Sequence, residues 1–385
     1  MLAAAGVILS VSNLSGETNI QLERDHIFNL EKDIIKKTKF VEKYNWITTP
    51  TINYSKSYTD TDNNGVDSSK ILFSLDQEIY RFGGIKSEIE AANLNAEFSN
   101  LENIKTKNEI LENLYKEKML YEKNKLKLKQ LLKKVENANL IIETIKENFT
   151  TGDANISDLN QAILDKIALQ KNVNEINRDI KKSTIVIKNY TPVNIDKIII
   201  EDPIKSDIKF KDYIDKNIDM KKKEYQVKIE KTKYDITKSK MYPSVSVKAS
   251  YNKELENEEE NSYTYQLNVS LPISLTQNTA ANINKIEYLK SKREKDLLKK
   301  ESKNEFDKIK NEINYHNELI LETKKNIVLY KELADYTEQE YKNGYKTKRD
   351  FLILKNNVSI QEEELSILEI SSLEERIELY FNMIN

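Results

Sequence analysis

The chain has 385 residues, of which 32% are charged and 38% apolar, with only seven glycines and five prolines. That balance excludes a string of compact globular cores and favours long, surface-rich helices or coiled coils. A formal net charge of −2 gives no overall attraction to nucleic acid or an acidic membrane face, and the lack of cysteine excludes disulfides, thiolate metal centres and cysteine nucleophiles.

Residues 1–18 begin with an apolar run from Leu2 to Val11 that has the length of a signal peptide and is too short to cross a bilayer as a helix. No basic residue precedes Arg24, so this segment reads as the remnant of a secretory signal whose basic start is missing. No other stretch is long and apolar enough for a membrane helix, and any membrane role must use strands or surface contact.

Residues 19–190 are expected to form a first structural repeat. An amphipathic helix ends before Pro50, and a hairpin follows over 51–80. Ile52, Tyr54 and Tyr58 share one face of its first strand; Phe73, Leu75 and Ile79 oppose Ser74, Asp76 and Glu78 on its second. A long helix over 84–149 then carries Leu128, Leu131, Val135, Ala138, Ile142, Ile145 and Phe149 at alternating steps of three and four, a coiled-coil seam about 100 Å long at 1.5 Å per residue. A turn at 150–156 contains Gly152. The next helix, 157–190, is expected to be capped by Ser157 or Asp158 and repeats the seam at Leu169, Val173, Ile176, Ile180 and Ile187.

Residues 191–211 read as a short β or irregular linker. Residues 212–385 then repeat the plan: a helix, a hairpin over 244–273, a long helix over 281–342, a turn at 343–349 containing Gly344, and a helix over 350–385. The clearest strand is 263–273. Tyr263, Tyr265, Leu267, Val269, Leu271 and Ile273 alternate there with Thr264, Gln266, Asn268, Ser270 and Pro272. The second long helix places Phe306, Ile309, Ile313, His316, Ile320, Thr323, Ile327, Tyr330, Ala334, Thr337 and Tyr341 on seam positions. Gly344 lies 192 residues after Gly152, Tyr341 lies 192 after Phe149, and Pro243 lies 193 after Pro50; such offsets mark an internal duplication.

Four strands with one apolar and one polar face cannot stand alone. A single hairpin leaves backbone groups unpaired at its edges, and about eight strands is the smallest membrane barrel. The strands must pair with other subunits or pack on the chain's own helices. In a barrel the odd face of 263–273 meets lipid, and Tyr54, Tyr58, Tyr251, Tyr263 and Tyr265 supply an aromatic girdle.

At these residues the sequence resembles the TolC-like outer-membrane efflux proteins. The resemblance rests on Pro243-Ser-Val-Ser-Val, Ser270-Leu-Pro-Ile273, Ile79-Tyr-Arg-Phe-Gly83, and two turn motifs, Phe149-Thr-Thr-Gly152 with Asp158 and Tyr341-Lys-Asn-Gly344 with Asp350. It covers nearly all of the chain from about residue 20. It implies a mainly α fold with a small β part: duplicated coiled-coil helices and two β-hairpins in a homotrimeric α/β-barrel channel-tunnel of the outer membrane. It also implies a periplasmic adaptor, an inner-membrane transporter of RND or ABC type, and contact with outer-membrane lipid. The linker 191–211 becomes an equatorial belt, and the turns at Gly152 and Gly344 become the periplasmic tip where an adaptor docks. Ser157, Asp158, Tyr341 and Lys346 occupy the positions of the polar links that hold the tip closed, and Asp350 the position of an acidic constriction. Lys346 stands where an arginine is familiar, which removes the expected bidentate clamp, and Ile353 replaces a second acidic residue of the constriction.

Other motifs carry less. Residues 60–65 mimic the start of a calcium loop, but Ile71 takes the bidentate ligand position and no helices flank it. The acidic loop 254–260 and the basic run 123–134 read as solvated surface. Neither histidine stands in a catalytic constellation, and no phosphate-cradling glycine loop is present. The expectation is a passive export conduit with no enzymatic activity, no cofactor and no nucleic-acid partner. The alternative is a soluble or peripheral coiled-coil scaffold whose hairpins mediate assembly.

Overall fold

The computed structural model describes residues 22–61, 64–204, 208–256 and 261–384. The signal-like segment 1–18 lies outside them, as do residues 62 and 63 of the calcium-like loop and 257–260 of the acidic loop. Helix α1 spans Asp25–Tyr44, strands β1 and β2 span Thr51–Thr61 and Asn64–Tyr80, and helices α2 and α3 span Gly84–Thr151 and Ile156–Lys188. After a 3-10 turn at Ile195–Lys197 come α4 (Phe210–Lys216), α5 (Ile218–Ser239), β3 (Ser244–Glu254), β4 (Ser262–Ser270), α6 (Gln277–Lys342) and α7 (Lys348–Phe381). The mainly helical class with a small β part and the duplicated order of elements agree with the sequence pattern.

Several boundaries moved for identifiable reasons. Strand β4 stops at Ser270, short of the expected Ile273, because Pro272 has no N–H to donate to a ladder and restricts the residue before it. The helix expected from 212 is two helices broken at Asn217, whose backbone instead bridges Met383. The linker 191–211 contains the 3-10 turn and no strand among the described residues. A bulge lies between Glu78 and Tyr80, so Tyr80 rather than Ile79 stands opposite Val245.

The chain forms two compact units, one from residues up to Ile27, Lys105–Asn217 and Glu301–Asn385, the other from Phe28–Ile104 and Ile218–Lys300. Each draws on both repeats, because the long helices continue from one unit into the other. The core of the first is Tyr213, Phe306, Ile309, Ile313, Leu379 and Met383, with Phe210 packed against it. The predicted seam is buried or half-buried over most of its length: in α6, Phe306, Ile309, Ile313, Thr323, Ile327, Ala334 and Thr337 are all buried. In the second unit α5 meets α6 through Lys223–Glu294 at 2.6 Å, Lys295–Glu224 at 3.0 Å and Asn284–Thr237 at 2.7 Å.

Candidate functional site

The four strands form one antiparallel sheet in the order β1-β2-β3-β4. Residues directly opposite in such a sheet share a face, so the registers sort the side chains. One face carries Tyr263, Tyr265, Leu267 and Val269 of β4 opposite Tyr251, Ala249, Val247 and Val245 of β3. It continues through Phe73, Leu75 and Tyr80 of β2 to Ile52 and Tyr54 of β1. The other face carries the rows Thr51–Ser74–Ser250–Thr264, Asp76–Lys248–Gln266 and Glu78–Ser246–Asn268. Hydroxyls there meet across strands, Thr51 with Ser74 at 2.9 Å and Ser244 with Ser270 at 3.0 Å.

The apolar face is uncovered within the chain. Tyr265 is 77% exposed, Leu267 and Val269 68% each. Leu271 and Ile273, beyond the strand end, remain exposed as well. Among the described residues no strand lies beside the outer edges of β1 and β4. Edges and face therefore call for the same remedy, further strands on both sides and an apolar solvent outside.

At the C-terminal ends of α2 and α6 lie two turns built alike. Gly152 and Gly344 have φ of +87° and +80°, the left-handed conformation that glycine adopts without steric cost at a helix C-terminus. Asp153 N–H donates to Asn148 C=O at 2.8 Å, and Tyr345 N–H donates to Glu340 C=O at 2.9 Å. Each following helix begins with a capping box. Asn155 rather than Ser157 or Asp158 is the N-cap of α3, and Asp158 sits at the third helical position, accepting from Asn155 N–H at 3.2 Å. Thr347 caps α7, and Asp350 accepts its N–H at 3.0 Å and its hydroxyl at 2.8 Å. These bonds, the backbone one first, hold the Asp350 carboxyl below the usual carboxylate range. Replacing Asp350 with alanine should cost about 1 kcal/mol of helix stability, read as faster proteolytic nicking at the 343–349 turn; an unchanged rate would deny the cap its role.

Of the expected tip-gate residues, Asp158 of the polar links and Asp350 of the constriction are thus engaged in their own helix starts. Among the described residues the side chains of Ser157, Tyr341 and Lys346 make no hydrogen bond, although Lys346 lies near enough to Asp350 to favour its charge. In the first unit α2 and α7 are joined near the turns by a pair that the sequence pattern did not single out. Arg349 of α7 forms a bidentate clamp on Glu147 of α2, with Nη1 2.8 Å from Oε1 and Nη2 on Oε2. A bidentate guanidinium–carboxylate contact is thus present three residues beyond Lys346. A signal for it existed: the chain has six arginines among 61 basic residues, so a lone arginine beside a tip turn marks a position where a planar fork is used. The equivalent residue in the first repeat, 192 positions earlier, is Ser157, so the duplication diverged here.

Behind the clamp a polar ladder joins α2 to α7. Lys116 meets Glu378 at 2.8 Å, Lys123 meets Glu374 at 2.5 Å, Gln130 donates to Glu364 at 2.9 Å and to Ile360 C=O at 3.0 Å, and Asn137 donates to Asn357 at 3.0 Å. The α2 members recur every seven residues, the spacing that keeps one helix face on its partner. The basic run 123–134 is therefore only partly solvated, since Lys123 is an internal rung. Burial alone would lower the Lys116 pKa, but the hydrogen bonds its ammonium donates to Glu112 and Glu378 outweigh it and raise the value.

No family model and no curated protein matches the chain by sequence. Solved structures do. The outer membrane protein VceC of Vibrio cholerae superposes with a TM-score of 0.76 at 10% identity, covering 93% of this chain and 92% of its own. The Campylobacter jejuni CmeC outer membrane channel gives 0.68 at 14% identity over 93% and 82%. The open state of the Neisseria gonorrhoeae MtrE outer membrane channel gives 0.66 at 14% over 94% and 86%. The chain has the fold of these TolC-like outer-membrane channels over almost its whole length.

Proposed function

We propose that the chain is the outer-membrane channel-tunnel of a tripartite efflux or type I secretion system, a passive export conduit opened at its periplasmic tip. The observation that carries this reading is the four-stranded sheet with one exposed apolar face, one polar face and two open edges. Strands alternate in direction, so β4 of one copy runs antiparallel to β1 of the next, and three copies make an even ring of twelve. Eight strands leave an interior that side chains fill; twelve leave room for a polar lumen lined by the Ser, Asn and Gln face. Other exposed apolar stripes favour the same assembly: Leu30, Ile34, Val41 and Tyr44 on α1 in the second unit, and Leu321, Val328, Leu333 and Tyr336 on α6 in the first.

Export through such a conduit draws its energy from an inner-membrane transporter of RND or ABC type, joined by a periplasmic adaptor that docks at the Gly152 and Gly344 turns. The gate comprises Ser157, Asp158, Tyr341, Lys346 and Asp350, with Glu147–Arg349 as its intrachain clamp. Membrane fractionation tests the reading directly: a heat-modifiable trimer in the outer membrane is expected, and a soluble monomer or dimer would leave the scaffold alternative.

In planar bilayers, Arg349→Ala should raise the open fraction roughly two- to fivefold, the range for losing an exposed ion pair. Tyr341→Phe with Lys346→Ala should add to it, and unchanged conductance in both would remove the gate. The pH dependence follows from the carboxylates. The hydrogen bonds from Arg349 hold Glu147 below its ordinary pKa, as those from Thr347 hold Asp350. Both contacts are then complete above the unfolded pKa values near about 4 and are lost only as pH falls through the lowered folded values. Conductance should be flat from about pH 8 to 5 and rise below about pH 4.

A further inference from the structure

We propose that the outward face of the sheet carries a binding site for the phosphate groups of outer-leaflet lipid, formed by Lys56 and Lys253 among the tyrosines of the outer rim. The proposal rests on the membrane-barrel reading above. The registers supply its first argument. On the polar face each lysine has a carboxylate directly opposite: Lys70 faces Glu254, and Lys248 faces Asp76. On the apolar face Lys56 faces Ser69, and Lys253 faces Ile71. Neither makes an ion pair among the described residues. The nearest carboxylates in register are Asp67, opposite Tyr58, and Glu256, which accepts from Ser69 Oγ at 2.8 Å. Two exposed ammonium groups thus stand without an ion pair on a face that is mostly aliphatic and aromatic, with Ser69, Asp67 and Gln77 as its other polar members.

Their height on the sheet supplies the second argument. The apolar band starts at the helical end with Val245 and ends where Lys253 begins. Eight residues at about 3.3 Å give roughly 26 Å along the strand, or about 20 Å across a bilayer at a tilt near 40°. The exposed rings of Phe82 and Tyr242, stacked 5.2 Å apart, extend the band at its helical end toward the ~25 Å of a barrel's lipid belt. Lys253 and Lys56 therefore lie at the first headgroup level away from the helices, the level of the outer leaflet. Two strand spacings and one pleat put their Cα atoms about 12 Å apart. Tyr54 and Tyr58 flank Lys56 along β1, and Tyr251 and Tyr263 stack at 4.7 Å one step below Lys253. Amphipathic rings take the acyl–headgroup boundary while ammonium groups donate to phosphate, a charge-assisted contact stronger than a neutral hydrogen bond. A bare lipid belt needs tyrosines but has no use for two unpaired lysines near its rim.

The test uses the full-length protein extracted in detergent, titrated with bis-phosphorylated lipid A and with its phosphate-free form, bound lipid being counted by native mass spectrometry. The wild-type protein should hold the phosphorylated lipid on the order of tenfold more tightly. Lys56→Ser with Lys253→Ser should erase that preference, and Lys56→Arg with Lys253→Arg should keep it. Equal binding of the two lipids by the wild type, or an unchanged preference in the serine variant, overturns the site. Heat-modifiable trimer in the outer membrane is scored on the same preparations: its absence from the wild type removes the channel reading, whereas a trimer without phosphate preference removes the lipid site alone.

Discussion

Leu267→Lys is expected to abolish the outer-membrane trimer, while Gln266→Lys, one residue away on the same strand, leaves it intact. Leu267 is opposite Val247 on the uncovered apolar face, and Gln266 is opposite Lys248 on the polar one. A lysine presented to the middle of the lipid belt costs about 2–4 kcal/mol. Three copies per pore would lose roughly 6–12 kcal/mol, several decades in the assembly constant. A lysine at position 266 enters a wet lumen and costs little beyond repulsion from Lys248. The measurement is the heat-modifiable trimer in the outer-membrane fraction, compared on unboiled and boiled gels. Equal trimer in the two variants would mean that the sheet's faces have been assigned to the wrong solvents.

Tyr213→Ala carries the second largest expected effect. The side chain is fully buried, its ring lies 5.2 Å from that of Phe306 and 6.4 Å from that of Phe210, and its hydroxyl accepts from Asn217 Nδ2 at 3.1 Å. Ile309, Ile313, Leu379 and Met383 complete the cluster. Removing a buried aromatic side chain costs about 3–5 kcal/mol, of which the cavity left behind is a large part. Because Asn217 also bridges Met383 through its backbone, the loss would loosen the end of α7 as well as α4. Tyr213→Phe keeps the volume and should cost about 1 kcal/mol for the hydrogen bond. In thermal melts of the detergent-extracted protein the alanine variant should fall by roughly 10 °C and the phenylalanine variant by about 2–4 °C. Similar shifts for both would show that the hydroxyl, not the ring, matters at this position.

How far the sequence spoke for itself varies by element. The seams were legible because burial at steps of three and four leaves a periodic trace. Phe306, Ile309, Ile313, Ile327 and Ala334 were placed by period alone and are buried, while Phe149 and Tyr341, at the C-terminal ends of the α2 and α6 seams, are exposed. The tip turns were legible because a left-handed residue after a long helix selects glycine. The capping residues were misplaced by two or three positions: several residues near a helix start can cap it, and only backbone geometry chooses Asn155 over Ser157 and Asp158. The Glu147–Arg349 clamp and the rungs from Lys116 to Asn137 escaped notice for a different reason. Their partners lie more than 200 residues away in sequence, and charged residues on a helix look alike whether they face water or another helix.

The sequence by itself determined the local grammar of this protein: two copies of helix, hairpin, long helix, turn and helix, with one apolar and one polar face on every strand. Periodicity and turn chemistry are short-range consequences of backbone geometry, so they are written where they act. Only the tertiary structure decided that the two hairpins join through β2 and β3 into one sheet, that the sheet's apolar face and both edges stay uncovered, and that Arg349 rather than Lys346 grips the facing helix. Those outcomes depend on which distant surfaces meet, and no local pattern encodes the identity of a residue's partner.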